Sequence, residues 1–281
     1  MSRFVLITGV SSGIGLDSAR LLIEQGYRVI GTVRRDEDGE RARGMLGEAF
    51  LPLRLDVRDS AGLPAALRQV EQWVGADGLA ALVNNAGIAS PGGPLLLQPL
   101  DEIRGMFEVN LFGLLAVTQA FLPLLGTRPG SARPGRVINI GSVSGRLATP
   151  LSGCYAATKH ALEAVSDALR VELGIYGIEV VIIEPGPIRT PIWSKAPPDS
   201  RYLGTDYAGA MQALLGLVER NGARGAPVAS VSRTLLKAIE APRPKPRYPL
   251  NPMWYLAALL PTRLLDRLLA QRMALPRRPA R

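Results

Sequence analysis

The chain has 281 residues, 47% hydrophobic and 20% charged, with 30 glycines, enough to bury a large core in one domain. A single cysteine, Cys154, excludes an internal disulfide, and a single histidine, His160, leaves neither a zinc centre nor a Ser-His-Asp hydrolase enough side chains to work with. The net charge of +9 is uneven: residues 241–281 hold nine basic groups against one acid, so the body is near neutral, which argues against nucleic acid as a partner.

The first residues form a short apolar run that ends in turn residues, too short for the apolar region of a signal peptide. No run reaches the roughly 20 apolar residues that a membrane-spanning helix needs. Residues 3–8 are continuously apolar or β-branched and predict a strand buried on both faces. The turn Gly9-Val-Ser11-Ser12-Gly13-Ile14-Gly15 follows, then an amphipathic segment with Leu16, Ala19, Leu22 and Ile23 on one side. A second strand is expected over 27–33. A glycine-rich turn between a buried strand and a helix suits a pyrophosphate, because backbone can approach closely and the helix N-terminus faces the anion. The second strand runs into Arg34 and Arg35 before Asp36. Arginine suits a ribose 2′-phosphate and an acid a free 2′-hydroxyl, so NADP(H) is favoured, with NAD(H) through Asp36 as the alternative.

Strand and helix then alternate. Strands are expected over 50–55, ending in Asp56-Val57, and over 79–83, ending in Asn84-Asn85-Ala86-Gly87. Helices are expected over 63–74 and, after a Pro/Gly-rich loop, over 101–125 with an interruption at Pro123. A strand over 136–140 leads into Gly141-Ser142-Val143-Ser144-Gly145. A helix carrying Tyr155 and Lys159 runs to about residue 175, and a strand over 178–183 ends in Glu184-Pro185-Gly186-Pro187-Ile188-Arg189-Thr190. This alternation predicts a parallel, doubly wound sheet with ligands at the C-terminal strand ends, where these turns sit.

From residue 191 to 225 the chain turns proline-rich and apolar, with Trp193, Tyr202 and Met211 among its large side chains. It reads as a substrate lid with a helix over 206–219. A helix over 228–241 and a strand over 247–250 complete a domain of residues 1–250. Residues 251–281 form a basic extension whose helices break at Pro261, with Leu264, Leu265, Leu268 and Leu269 as an apolar stripe beside Arg263, Arg267 and Arg272. It is expected to pack on the body or on a second subunit; the alternative is contact with an anionic membrane surface.

Tyr155 and Lys159 are four residues apart and share one helix face. An ammonium near a phenol lowers the phenol pKa, which predicts a proton donor and acceptor working near neutrality. No metal site is expected.

In order, Thr8-Gly9-x3-Gly13-x-Gly15, Asp56-Val57, Asn84-Asn85-Ala86-Gly87, Asn110, Ser142, Tyr155-x3-Lys159 and Pro185-Gly186 with Thr190 resemble the short-chain dehydrogenase/reductase family over roughly residues 3–250. The segments at Gly141-Ser142 and Arg34 look like its 17β-hydroxysteroid and retinol dehydrogenase branch. The resemblance implies a Rossmann-type fold in a single α/β domain and an enzyme that interconverts alcohols with ketones or aldehydes. It implies Tyr155 as acid and base, Ser142 on the same substrate oxygen, Lys159 on the nicotinamide ribose, and Asn110 holding a water behind Lys159. Gly9, Ser11, Ser12, Gly13, Ile14 and Gly15 would receive the pyrophosphate. Asp56 and Val57 would meet the adenine; Asn84, Ala86 and Gly87 the adenosine ribose; Pro185, Gly186, Ile188 and Thr190 the nicotinamide. Val143, Ser144 and Leu147 with Trp193, Tyr202 and Met211 would line an apolar substrate pocket for a steroid, retinoid or lipid. His160 and Cys154 read as structural. A cytoplasmic homodimer or homotetramer is expected. Two alternatives keep the fold without this role: a dinucleotide-binding regulator and a membrane-surface scaffold.

Overall fold

A computed structural model describes residues 3–127, 134–193 and 199–275. Seven strands form one sheet in the order β3-β2-β1-β4-β5-β6-β7, every pair parallel. They are β1 (Phe4–Ile7), β2 (Arg28–Val33), β3 (Phe50–Arg54), β4 (Leu79–Asn84), β5 (Arg136–Ile140), β6 (Glu179–Glu184) and β7 (Arg247–Pro249). Alternate residues serve opposite faces: Val5 and Ile7 enter one core layer, Phe4 and Leu6 the other. The first layer takes α1 (Gly13–Glu24), α2 (Asp36–Leu46) and α8 (Ala229–Glu240); the second takes α3 (Leu63–Val74) and α5 (Gly113–Phe121). The predicted doubly wound sheet is what forms, and strand order reverses between β1 and β4, which opens a crevice at their C-terminal ends.

The remaining helices are α4 (Leu100–Phe107), α6 (Gly153–Glu172), α7 (Ala208–Arg224), α9 (Met253–Leu259) and α10 (Thr262–Arg272). Three differences from expectation have physical causes. Helix α2 escaped the sequence reading because it is mostly charged, with Gly39 and Gly44 inside it. Its acids Asp36, Glu37 and Asp38 favour the N-terminus, and Gly39 lets it lie on Pro52, where an added Cβ would stand 3.0 Å from that ring. The helix expected over 101–125 is interrupted earlier, by a π-turn at Glu108–Phe112 that carries Asn110. The run Leu100–Leu125 is also long and apolar enough to cross a bilayer, contrary to expectation, but half of its apolar window is buried inside the protein, as in a core helix. Finally, the extension forms two helices broken at Pro261 as predicted, and Met273 at its end is buried with Leu151, Met211 and Leu214.

Candidate active site

The C-terminal strand ends open into one cavity of about 850 Å³ that runs from the β1–α1 turn to the C-terminal helices. At the turn, Gly9 has φ +73°, a left-handed conformation that costs glycine little. Gly15 allows close approach: a Cβ there would overlap the Gly9 carbonyl and stand 2.7 Å from Asn85 Nδ2. Asn85 Nδ2 donates to the Thr8 and Gly9 carbonyls (2.8 and 3.0 Å), and Thr8 Oγ1 accepts from the Asn85 and Ala86 amides (both 2.9 Å). Ser12, at the N-cap of α1, makes no side-chain cap hydrogen bond to its first turn. This cradle fits a pyrophosphate, whose oxygens would take the helix N–H groups.

Gly9, Ser11, Ser12, Gly13 and Ile14 line the cavity, as do Arg34, Asp56 and Val57 further along. Arg34 is exposed and makes no hydrogen bond among the described residues. Asp56 is held by Arg58 at 2.7 and 3.1 Å, and that bond, against burial, keeps its carboxyl below the usual range. Asp38 also lines the cavity, but Arg41 (2.5 Å) and Arg35 (3.1 Å) neutralise it. Asp36 instead pairs with Arg54, outside the lining.

The reacting end is built where β5 leaves the sheet. The Gly141 amide donates to the Ile183 carbonyl and the Val143 amide to that of Pro185, both at 2.8 Å, which ties this turn to the end of β6. Ser142 Oγ accepts from the Ser144 amide at 3.1 Å and is hydrogen-bonded to Tyr155. Lys159 is buried, donates Nζ to the Ile140 carbonyl at 2.8 Å, and lies 5.8 Å from the Tyr155 ring centre. Burial raises the Tyr155 pKa, with Ser142 opposing, and burial lowers Lys159 to about 8 with Glu163 opposing. The expected depression of the tyrosine is therefore absent: the loss of solvent around the phenol outweighs the Ser142 hydrogen bond and favours the neutral phenol.

Ser142, Tyr155 and Lys159 share the cavity with Ala86, Gly87, Pro185, Gly186, Ile188 and Thr190. Val143, Ser144, Leu147 and Trp193 line it too, and Trp193 Nε1 donates to the Ile188 carbonyl at 2.6 Å. Six expected residues lie elsewhere. Asn84 is buried between strands, donating to Thr118 and Asn139 (both 2.9 Å); its neighbour Asn85 faces the cavity instead, as the half-buried residue of the pair. Arg35 caps α2 and turns to Asp38. Gly15 acts from behind the turn. Asn110 exchanges hydrogen bonds with the Ile88 backbone (both 2.8 Å) and donates to Thr158 (3.1 Å), so its amide is committed to fixing Ile88. Tyr202 and Met211, within the lid, pack in the cluster that receives Met273.

Sequence reasoning missed the far wall. Met253, Leu256 and Leu260, from α9 and just beyond it, and Leu265, Leu268 and Leu269 of α10 line the cavity opposite Leu214, Leu217 and Val218 of α7. The leucine spacing in the tail was the available signal; nothing in it distinguished a pocket wall from a packing face. His160 is exposed, with Nδ1 2.8 Å from the Ala156 carbonyl, and buried Cys154 has its thiol pKa raised by burial. Among the described residues no group of acids, cysteines and histidines could hold a metal.

The family model for short-chain dehydrogenases matches residues 3–201. The chain is 40% identical to the NADPH-dependent 3-dehydrocapnine reductase of Ornithobacterium rhinotracheale, covering 95% of both chains. It is 35% identical to retinol dehydrogenase 5 of Homo sapiens, covering 95% of this chain and 88% of the relative. Among solved structures, a short-chain dehydrogenase from Streptomyces avermitilis superposes with a TM-score of 0.76 at 28% identity, covering 96% of this chain and 94% of the other. A serine dehydrogenase complexed with NADP+ superposes with a TM-score of 0.72 at 28% identity, covering 88% and 94%. The chain belongs to the short-chain dehydrogenase family of oxidoreductases, with retinol dehydrogenases among its relatives.

Proposed function

We propose that the protein is an NADPH-dependent reductase that converts a ketone or aldehyde on a mainly apolar substrate into the alcohol. The observation that carries this reading is a neutral, Ser142-bonded Tyr155 in a cavity with a glycine-turn cradle at one end and a leucine wall at the other. NADPH supplies the hydride. Tyr155 donates its phenolic proton to the carbonyl oxygen as charge develops there, and Ser142 holds the same oxygen. Lys159 would hold the nicotinamide ribose and places a positive charge beside Tyr155. Ile188, Thr190 and Trp193 line the part of the cavity where the nicotinamide would sit and would help to exclude water. Asn110 acts at one remove, through Ile88 and Thr158.

Arg34, with no hydrogen-bond partner among the described residues, is the candidate for the 2′-phosphate. The NADPH dependence of the Ornithobacterium relative supports the same choice. Arg34→Glu is expected to weaken NADPH binding by about 10- to 100-fold, the worth of one charge-assisted hydrogen bond, while sparing NADH. Fluorescence titration with both cofactors checks this; equal losses would remove Arg34 from the discrimination.

The lid of residues 191–225 and the extension from residue 251 together form the substrate wall. Burying one leucine is worth about 1.5–3 kcal/mol. Leu269→Asp is therefore expected to raise KM for a long apolar ketone roughly tenfold or more, with little change in NADPH affinity. A similar rise for a short, polar ketone would contradict the wall.

The outer surfaces support two further assignments. Tyr255, Leu259 and Leu264 are exposed on the extension beside Arg263 and Arg267, a pattern suited to an anionic membrane surface that stores an apolar substrate. Phe112 in the π-turn, and Val171, Ile175 and Tyr176 at and just beyond the end of α6, are exposed and suit a homodimer face. Screening steroid, retinoid and aliphatic ketones with NADPH and NADH tests the reading as a whole; cofactor binding without consumption on any of them would favour the regulator alternative.

A further inference from the structure

A buried acidic cluster behind the reacting residues has no part in the steps above. Glu163 follows Lys159 by one turn of α6 and is 9% exposed; Glu184, the last residue of β6, is wholly buried. Arg247 of β7 donates Nε to Glu163 at 3.0 Å and reaches both Asp167 oxygens at 2.6 and 2.7 Å. Its Nε is 3.6 Å from Glu184 Oε1. Among the described residues, Glu163 Oε1 and both Glu184 side-chain oxygens make no close hydrogen bond, although the Tyr248 backbone amide faces Glu184. Glu163 Oε1 also lies close behind the turn that carries Ser142: a Cβ added at Gly145 would stand 3.0 Å from it, and one at Gly141 3.4 Å.

The charges facing these two acids are Lys159, Asp167 and Arg170 on α6, Arg146 after the Ser142 turn, and Arg247 on β7. Arg170 and Arg247 already hold Asp167. Two ionised carboxylates around one shared guanidinium, away from water, repel strongly enough that one keeps its proton. Glu163 has the closer guanidinium and Lys159 one turn away. Glu184 has a more distant guanidinium and, beside it, the Tyr248 backbone amide.

We infer that Glu163 is the resident carboxylate and Glu184 its neutral, proton-holding partner, and that Glu163 is a positioning residue whose charge keeps the proton on the Lys159–Tyr155 pair. The electrostatics agree: burial, then Glu163, pushes Glu184 up to about 8, whereas Arg247 opposes the rise that burial imposes on Glu163. Removing the Glu163 charge favours proton loss from either Lys159 or Tyr155. The alkaline limb of the reduction profile therefore moves to lower pH whichever of them carries it. This inference rests on Tyr155 as the proton donor.

The test is the pH dependence of kcat/KM for reduction in wild type, Glu163→Gln, Glu163→Asp and Glu184→Gln. With it goes the infrared carbonyl stretch of a protonated carboxylic acid in the apoprotein at neutral pH. Glu163→Gln should move the alkaline limb down by roughly one pH unit. Glu163→Asp should restore it, and Glu184→Gln should leave it in place while abolishing the infrared band. An unmoved limb in Glu163→Gln, an equal displacement in Glu184→Gln, or a band that survives Glu184→Gln would each overturn the assignment. NADPH binding and thermal unfolding establish that each variant is folded, and the infrared measurement stands even where Glu163→Gln does not fold. A wild type without reductase activity would instead sink the underlying reading.

Discussion

Tyr155→Phe is expected to lower kcat for carbonyl reduction by about 10³-fold, within the span of general acid catalysis, and to leave NADPH affinity unchanged. The reason is local. The phenol is hydrogen-bonded to Ser142, its neutral form is favoured by burial, and the ring stays in place without the hydroxyl. Ser142→Ala should cost about 10²-fold, the worth of one donor on a developing oxyanion, because Tyr155 still delivers its proton. Stopped-flow reduction with saturating NADPH separates these effects from binding. A Tyr155→Phe enzyme that turns over at the wild-type rate would assign proton transfer to another group; one that no longer binds NADPH would make Tyr155 structural.

Gly15→Ala is the second large effect. A methyl group there meets the Gly9 carbonyl and, at 2.7 Å, the Asn85 amide that ties the turn to β4. Backbone has to move, at about 1–3 kcal/mol of stability. The same movement opens the cradle, so NADPH affinity is expected to fall by about 100-fold, equivalent to about 3 kcal/mol. Gly44→Ala is the control. It lies on exposed α2 with nothing within 4 Å of the new methyl, so it should bind NADPH normally and gain up to about 1 kcal/mol of stability. Isothermal titration and thermal unfolding of both variants decide it; normal NADPH binding by folded Gly15→Ala would show that the turn does not need that approach.

The layered sheet was legible because its signals are local. Val5, Ile7, Val29 and Val181 belong to apolar runs that only strands buried on both faces accommodate, and each run ends in a motif at the same sheet edge. The glycine turn and the Tyr155–Lys159 pair are likewise local patterns that the structure brings to one cavity, whereas Ser142 was named only through the family resemblance. Three things depended on packing instead. Which of Asn84 and Asn85 faces the cavity follows from the two-residue alternation at the strand end, where one step reverses the side. Whether Lys159 depresses the Tyr155 pKa depends on how thoroughly the phenol is buried, which spacing does not encode. The leucines of α10 form the same stripe whether they cover a neighbour, a membrane or a pocket; only the placement of Met273 against Met211 and Leu214 brings Leu265, Leu268 and Leu269 over the site.

This cavity is proposed to join NADPH to the carbonyl of an apolar molecule. The most direct measurement is NADPH consumption by the purified full-length protein against a series of ketones of increasing chain length. The expected result is consumption whose kcat/KM rises with chain length as the leucine wall is filled. Firm NADPH binding with no consumption on any member of the series, or a rate indifferent to chain length, would contradict it.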